Sequence, residues 1–218
     1  MAAHKQKFFL LAVVLILAAF FRFYDINNSP PGLWPDEATN GINALEALKT
    51  GNFKIFYPEN NGREGLYINI QALAVKVFGP QAWVLRIVSA LFGTFTVLGL
   101  YLVTKELLSV KSQITNPKPQ TNFNTQNPKR FGNWKLEIGN CEVALLSSFF
   151  LATSFWHINF SRIGFRAIAV PFFAVFGLYW LLKALRTGKI SSTVLGGVFT
   201  GLGFHTYIAF RFMPLVMV

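Results

Sequence analysis

The stretch "WVLRIVSALFGTFTVLGLYLV", Trp83 to Val103, is 21 residues long and carries one charge, Arg86, near its start. A helix rises about 1.5 Å per residue, so about 20 apolar residues cross the roughly 30 Å hydrocarbon core of a bilayer. This run therefore reads as a membrane span. The same test finds further spans at about 8–24, 142–156, 163–182 and 190–207. A sixth begins near Phe212 and meets the last residue, Val218, after about seven residues, too few to cross. The natural chain is expected to continue. The composition agrees: 53% of residues are hydrophobic, 13% are charged and the mean hydropathy is +0.43, values rare in a soluble domain. The expected fold is an all-α polytopic membrane protein.

The placement of charge orients these spans. Six of the nine acidic residues fall between Asp25 and Glu64. The basic residues gather at Lys5 and Lys7, from Lys105 to Lys135, and from Lys183 to Lys189. Basic segments between alternate spans follow the positive-inside rule. The expected topology is a cytoplasmic N-terminus in a cell (plasma) membrane. Residues 25–80, "HINFSR" at His157 to Arg162, and the surroundings of Arg211 then lie outside, where they form one site. The end of the first span, "AAFFRFYD", has no small-x-small cleavage signal, so it reads as a retained anchor. A nucleic-acid binder is excluded, because the basic residues alternate with spans. The single cysteine, Cys141, allows no intrachain disulfide and no cysteine metal site.

The region 25–80 predicts two amphipathic surface helices. In the first, Ala38, Ile42, Leu45 and Leu48 share a face after Asp36, and Gly51 ends it. In the second, from about Glu64 to Phe78, Leu66, Ile70, Leu73 and Val77 form the stripe, and Gly79-Pro80 ends it. Residues 105–139 contain "KSQITNPKPQTNFNTQNPKR" and predict a flexible cytoplasmic loop.

The candidate chemistry lies at the span ends. Asp36 and Glu37 are adjacent, so on a helix they diverge by about 100° and cannot face one substrate together. They read either as helix-capping carboxylates or as a general base at the membrane surface. Arg63 and Glu64 open the second surface helix, as a solvated pair or as site residues. Arg162 and Arg166 lie four apart at the start of a span, with Arg166 about a turn inside it. An arginine there either snorkels to the headgroups or serves a function. With Arg211, these arginines suit a phosphate through charge-assisted hydrogen bonds. His157 and His205 would bind metal only if they converged with a carboxylate. The sequons at Asn27 and Asn159 read as chance matches, since Pro30 follows the first and the membrane crowds the second.

The order of these pieces is more specific than any one of them. A first span leads to "WPDEATNGINALEALKTGNF", then to "GLYINIQALAVKVFG" and "WVLRIVSALFGTFTVLGLYLVTKELL", with "ATSFWHINFSRIGFRAIAVPFF" and "GLGFHTYIAFRFMPL" further on. This order resembles the N-terminal part of GT-C-fold glycosyltransferases. The similar types are dolichyl-phosphate-mannose–protein mannosyltransferases and bacterial aminoarabinose transferases. The resemblance implies a GT-C-like helix bundle and inverting transfer of a sugar from a polyprenyl-phosphate carrier to an acceptor hydroxyl on a lipid, glycan or protein. It implies Asp36 as base, with Glu37 in support or at the acceptor. Arg63, Arg162, Arg166 and Arg211 would hold the donor phosphate, and Glu64, Tyr67 and His157 the substrate. No cofactor is certain, and a divalent metal ion is possible. Where the family carries Lys-Pro-Pro-Leu-Tyr, this chain reads Arg63-Glu64-Gly65-Leu66-Tyr67, which leaves the sugar open. The rival readings are a transporter or lipid flippase, and an inactive scaffold subunit of the same fold.

Overall fold

The computed structural model describes residues 2–115 and 139–217. Nine α-helices carry the described fold: α1 Ala2–Phe23, α2 Pro35–Thr50, α3 Gly65–Phe78, α4 Ala82–Thr115, α5 Asn140–Thr153, α6 Phe155–Arg162, α7 Ala169–Thr187, α8 Ile190–Gly203 and α9 Met213–Met217. One two-stranded antiparallel ribbon, β1 Phe56–Tyr57 with β2 Arg63–Glu64, sits between α2 and α3. Short 3-10 turns at Arg166–Ile168 and Ile208–Phe212 precede α7 and α9.

Three helical segments are long and apolar enough to cross a membrane: Lys5–Phe23, Ala82–Ser109 and Arg166–Thr187. A fourth arises if α5 and α6, bent by 57° at Ser154, count as one span. Residues 157–162 are therefore helical, where the sequence suggested a tight corner. α8, with 14 residues, stops at Gly203 rather than near Tyr207 and rises only about 21 Å. α4 continues to Thr115, past Lys105, where a loop was expected. "KELLSV" is rich in helix formers, and the first proline after it is Pro117. The rest of the expected loop, 116–138, lies outside the described residues.

α4 is the central element. It packs against α1, α5 and α6 on one side, against α7 on another, and against α3 near its start. Small residues allow close approach. A methyl group at Gly99 would strike the Val175 and Phe176 side chains, and one at Gly93 would strike Ser161 Oγ. An aromatic layer of Phe92, Phe172, Phe173, Phe176 and Phe199 joins α4, α7 and α8. Large apolar side chains stay exposed on the outer faces, among them Phe8, Ile16, Phe150 and Leu185, as lipid-facing helices require.

Ion pairs fix the two ends of the bundle. At one end Lys7 of α1 meets Glu142 of α5 at 2.9 Å, and Arg186 of α7 pairs with Glu106 of α4. At the other end α1 and α6 finish while α4 and α7 begin. Arg22 there is fully buried. It donates to Ala18 O at 2.9 Å, Ala152 O at 3.1 Å, Leu151 O at 3.3 Å, Ser161 Oγ at 3.3 Å and His157 Nδ1 at 2.7 Å. The carbonyls of Leu151 and Ala152 belong to the last turn of α5, which runs short of backbone donors, the Ser154 N–H at 3.3 Å serving Leu151 O. Arg22 supplies them and holds the bend.

α2 and α3 cover this second end. α2 starts at Pro35, a favoured first-turn residue, and ends at Gly51 with φ +70°. Its buried face is the polar one: Glu37, Asn40, Asn43, Ala44 and Ala47. Ile42 and Leu45 of its apolar stripe point outward, Ile42 being 65% exposed, while Leu48 packs against the core. With Leu33, Val75 and Leu85, Ile42 lines an apolar groove of about 210 Å³. The stripe of α3 behaves alike. Leu73 and Val77 are exposed beside a second apolar groove of about 500 Å³ against Leu91, Phe95 and Phe172.

Candidate functional site

A polar cleft of about 480 Å³ opens where α2, the ribbon, the 3-10 turn before α7 and the Ile208–Phe212 turn meet. Its polar and charged lining is Asp36, Asn60, Asn61, Glu64, Arg166, Tyr207 and Arg211. Of the residues expected at the site, Asp36, Glu64, Arg166 and Arg211 come together here.

Local folding sets each of these. Asp36 is the second residue of α2, near the positive end of the helix dipole. Its Oδ1 accepts a bond from Asn60 Nδ2 at 2.6 Å. Asn60 belongs to the ribbon turn, where Asn60, Asn61 and Gly62 take φ of +52°, +66° and +81°. Asn and Gly are the residues that tolerate this left-handed backbone. The ribbon register pairs Phe56 with Glu64 and Tyr57 with Arg63. Neighbouring residues of a strand point to opposite faces. Glu64 therefore enters the cleft while Arg63 points away from it.

Glu64 binds two arginines. Its Oε2 accepts from Arg166 Nη1 at 3.1 Å and its Oε1 from Arg211 Nη2 at 3.4 Å. The Arg166 guanidinium also lies 5.1 Å from the Tyr207 ring centroid, within cation–π range. Arg166 opens the 3-10 turn at the head of the span, not a turn inside it. Arg162 and Arg166 do not share a helical face, because α6 ends at Arg162 and the backbone at Ile163 and Phe165 is extended.

The other expected residues have different work. Glu37 is 1% exposed. Its Oε1 accepts from Arg86 Nε at 3.0 Å and Gly164 N at 3.2 Å, and its Oε2 from Trp34 N at 3.2 Å. It caps α2 and clamps α4 to the α6–α7 link, so it does not reach the cleft. A methyl group at Gly164 would sit 2.8 Å from Glu37 Cγ, which is why glycine stands there. Arg63 is 1% exposed and binds Asn40 Oδ1 at 2.6 Å, Asn43 Oδ1, and Glu59 O at 3.1 Å. Burial lowers the pKa of its guanidinium. It braces α2 against the ribbon and offers nothing to a phosphate. Arg162 donates to Phe21 O at 2.9 Å and Ser29 O at 2.8 Å, beside a separate hollow with Trp34 and Asn159. His157 binds Arg22 and borders another hollow with Trp156 and Phe160. Tyr67 is fully buried against Ser89, and burial raises its pKa. His205 is exposed and does not line the cleft. Ser161 of the second sequon is buried.

Asp36 and Glu64 are the carboxylates that line the cleft. Among the described residues, no three His, Cys, Asp or Glu side chains cluster to hold a metal ion.

Several site residues were not anticipated from sequence. Asn60 and Asn61 lie in "ENNGRE", a turn signal that follows the strand formers of "IFY" and would have marked the ribbon turn. Arg86, buried beside Glu37, was signalled by its place one turn into an apolar span. Tyr207 and Phe165 carried no such signal. The ribbon also explains Gly65. The Gly65 N–H donates to Ile55 O at 2.7 Å, and a side chain there would strike the carbonyls of Lys54 and Ile55. Proline would lose that bond and clash with the same backbone.

Comparisons of the chain with protein-family models, with curated proteins and with solved structures find no match.

Proposed function

We propose that the chain belongs to a GT-C-like membrane glycosyltransferase. On this reading it transfers a sugar from a polyprenyl-phosphate donor to an acceptor hydroxyl on the outer face of the membrane. The observation that supports this most is one cleft that holds a carboxylate, Asp36, together with two guanidiniums, Arg166 and Arg211.

The acceptor oxygen forms its bond to the anomeric carbon while Asp36 takes the hydroxyl proton. The bond from that carbon to the phosphate oxygen breaks, and its electron pair leaves with the phosphate. Arg166 and Arg211 stabilise the charge that develops there. A single displacement inverts the anomeric centre and needs one carboxylate base. Glu37, turned into the protein, is not required for it.

The transporter reading has one observation in its favour, the bend between α5 and α6, since transporters expose backbone carbonyls at broken helices. Here Arg22 already occupies the carbonyls of Leu151 and Ala152. The enzyme reading is therefore the better supported.

The test uses the full-length gene product in membranes, with a panel of labelled polyprenyl-phosphate sugars, comparing wild type with Asp36→Asn. Transfer by wild type that the variant loses, at equal expression, is the expected result. Asn keeps the shape and the Asn60 contact, so stability should stay within about 0.5 kcal/mol. Equal transfer by both proteins removes Asp36 as the base. No transfer by either, across the panel, moves the reading to a transporter or scaffold.

A further inference from the structure

Glu64 engages both cationic side chains of the cleft, Arg166 at 3.1 Å and Arg211 at 3.4 Å. The two need this partner unequally. The Arg166 side chain is 13% exposed, so its charge requires a counter-ion. The Arg211 side chain is 59% exposed and is hydrated without one. The second contact therefore adds little to the fold. Its main effect is on the cleft, where two carboxylates face two guanidiniums and the formal charge is zero.

A neutral cleft does not treat all phosphates alike. A phosphodiester, as in a sugar linked to a lipid phosphate, carries one negative charge. The phosphomonoester left after transfer carries about two. Resting on the glycosyltransferase reading, we propose that Glu64 is a positioning residue that competes with phosphate for Arg166 and Arg211. It takes both guanidiniums back from the doubly charged product, which speeds release. Coulomb energy is linear in charge. Removing the Glu64 charge then favours a dianion by twice the free energy that it gives a monoanion, and the gain in affinity is squared.

The experiment uses the full chain in nanodiscs of zwitterionic lipid at pH 8, where the monoester is dianionic. The probes are farnesyl phosphate, a monoester, and farnesyl methyl phosphate, a diester. Glu64→Gln should bind the diester about tenfold more tightly and the monoester about a hundredfold more tightly than wild type. A merely structural role gives the opposite sign, because an unpaired Arg166 loosens the cleft and weakens both. Unchanged or weaker monoester binding, with the diester still bound by wild type, overturns the competition and leaves the phosphate site standing. No binding of either probe to either protein overturns both. If Glu64→Gln does not fold, Glu64→Asp serves. Its shorter arm cannot span both arginines, so the monoester should gain over the diester, and an unchanged ratio overturns the proposal.

Discussion

The buried pair of Glu37 and Arg86 separates a structural carboxylate from a reacting one. Both side chains are 1% exposed and meet at 3.0 Å. Arg86 also donates to Ile26 O at 3.3 Å, Pro30 O at 2.8 Å and Gly32 O, which shapes the chain leading into α2. Glu37→Gln keeps the size of the side chain and removes its charge, leaving a buried guanidinium without a counter-ion. Breaking such a pair costs about 3–5 kcal/mol, and an amide oxygen retained near Arg86 Nε places this variant near 3. The new amide nitrogen takes the place of Oε2 and faces the Trp34 N–H, so one further hydrogen bond is lost at about 1 kcal/mol. Together these come to about 4 kcal/mol, which for a chain of this length lowers the melting temperature by about 8–16 °C. The assay is thermal unfolding of the full chain in nanodiscs, run beside the transfer assay. In an Arg86→Met background the same change should cost about 2 kcal/mol less, because the orphaned charge is gone. A Glu37→Gln protein that melts within 1 °C of wild type but has lost transfer would refute this reasoning and make Glu37 a reacting group.

Three other outcomes are expected. Arg22→Met strips five hydrogen bonds from the bend between α5 and α6. It should cost about 3 kcal/mol in denaturant unfolding, because Ala152 O, Ser161 Oγ and His157 Nδ1 lose the Arg22 donor and Leu151 O is left with the Ser154 N–H alone. Gly65→Ala drives a methyl group into the carbonyls of Lys54 and Ile55, which are backbone and cannot swing aside. Overpacking of this kind costs about 1–3 kcal/mol in unfolding. Tyr67 has its pKa raised by burial. The folded state keeps its proton where the unfolded chain loses it, so the stability it confers is full below about pH 10 and falls as pH rises beyond that. Tyr67→Phe should flatten that alkaline decline in a pH series of unfolding curves.

The spans were legible because lipid imposes a simple rule: about 20 apolar residues in register. The runs 8–24 and 83–103 coincide with α1 and the core of α4, and Gly51 and Gly79 end α2 and α3 where sequence placed those stops. The bend at Ser154 was not legible. "SFWHINFSR" carries neither proline nor glycine, and the bend depends on Arg22, distant in the chain, capping the carbonyls of α5.

Sequence by itself determined a helical, membrane-type chain, its two covering helices, and an acidic pair at the head of one of them. Those properties follow from local composition and period. It also required that Asp36 and Glu37 diverge, since neighbours on a helix differ by about 100°. Which of them faces the cleft was decided by tertiary structure alone. Arg86, 49 residues on, captures Glu37, and Asn60 holds Asp36 at the rim. The arginines were sorted in the same way. Arg63 turns inward because strand neighbours alternate faces, Arg162 is taken by the carbonyls of Phe21 and Ser29, and Arg166 and Arg211 remain with Glu64. A charge has no address until its partners are fixed, and those partners lie far along the chain.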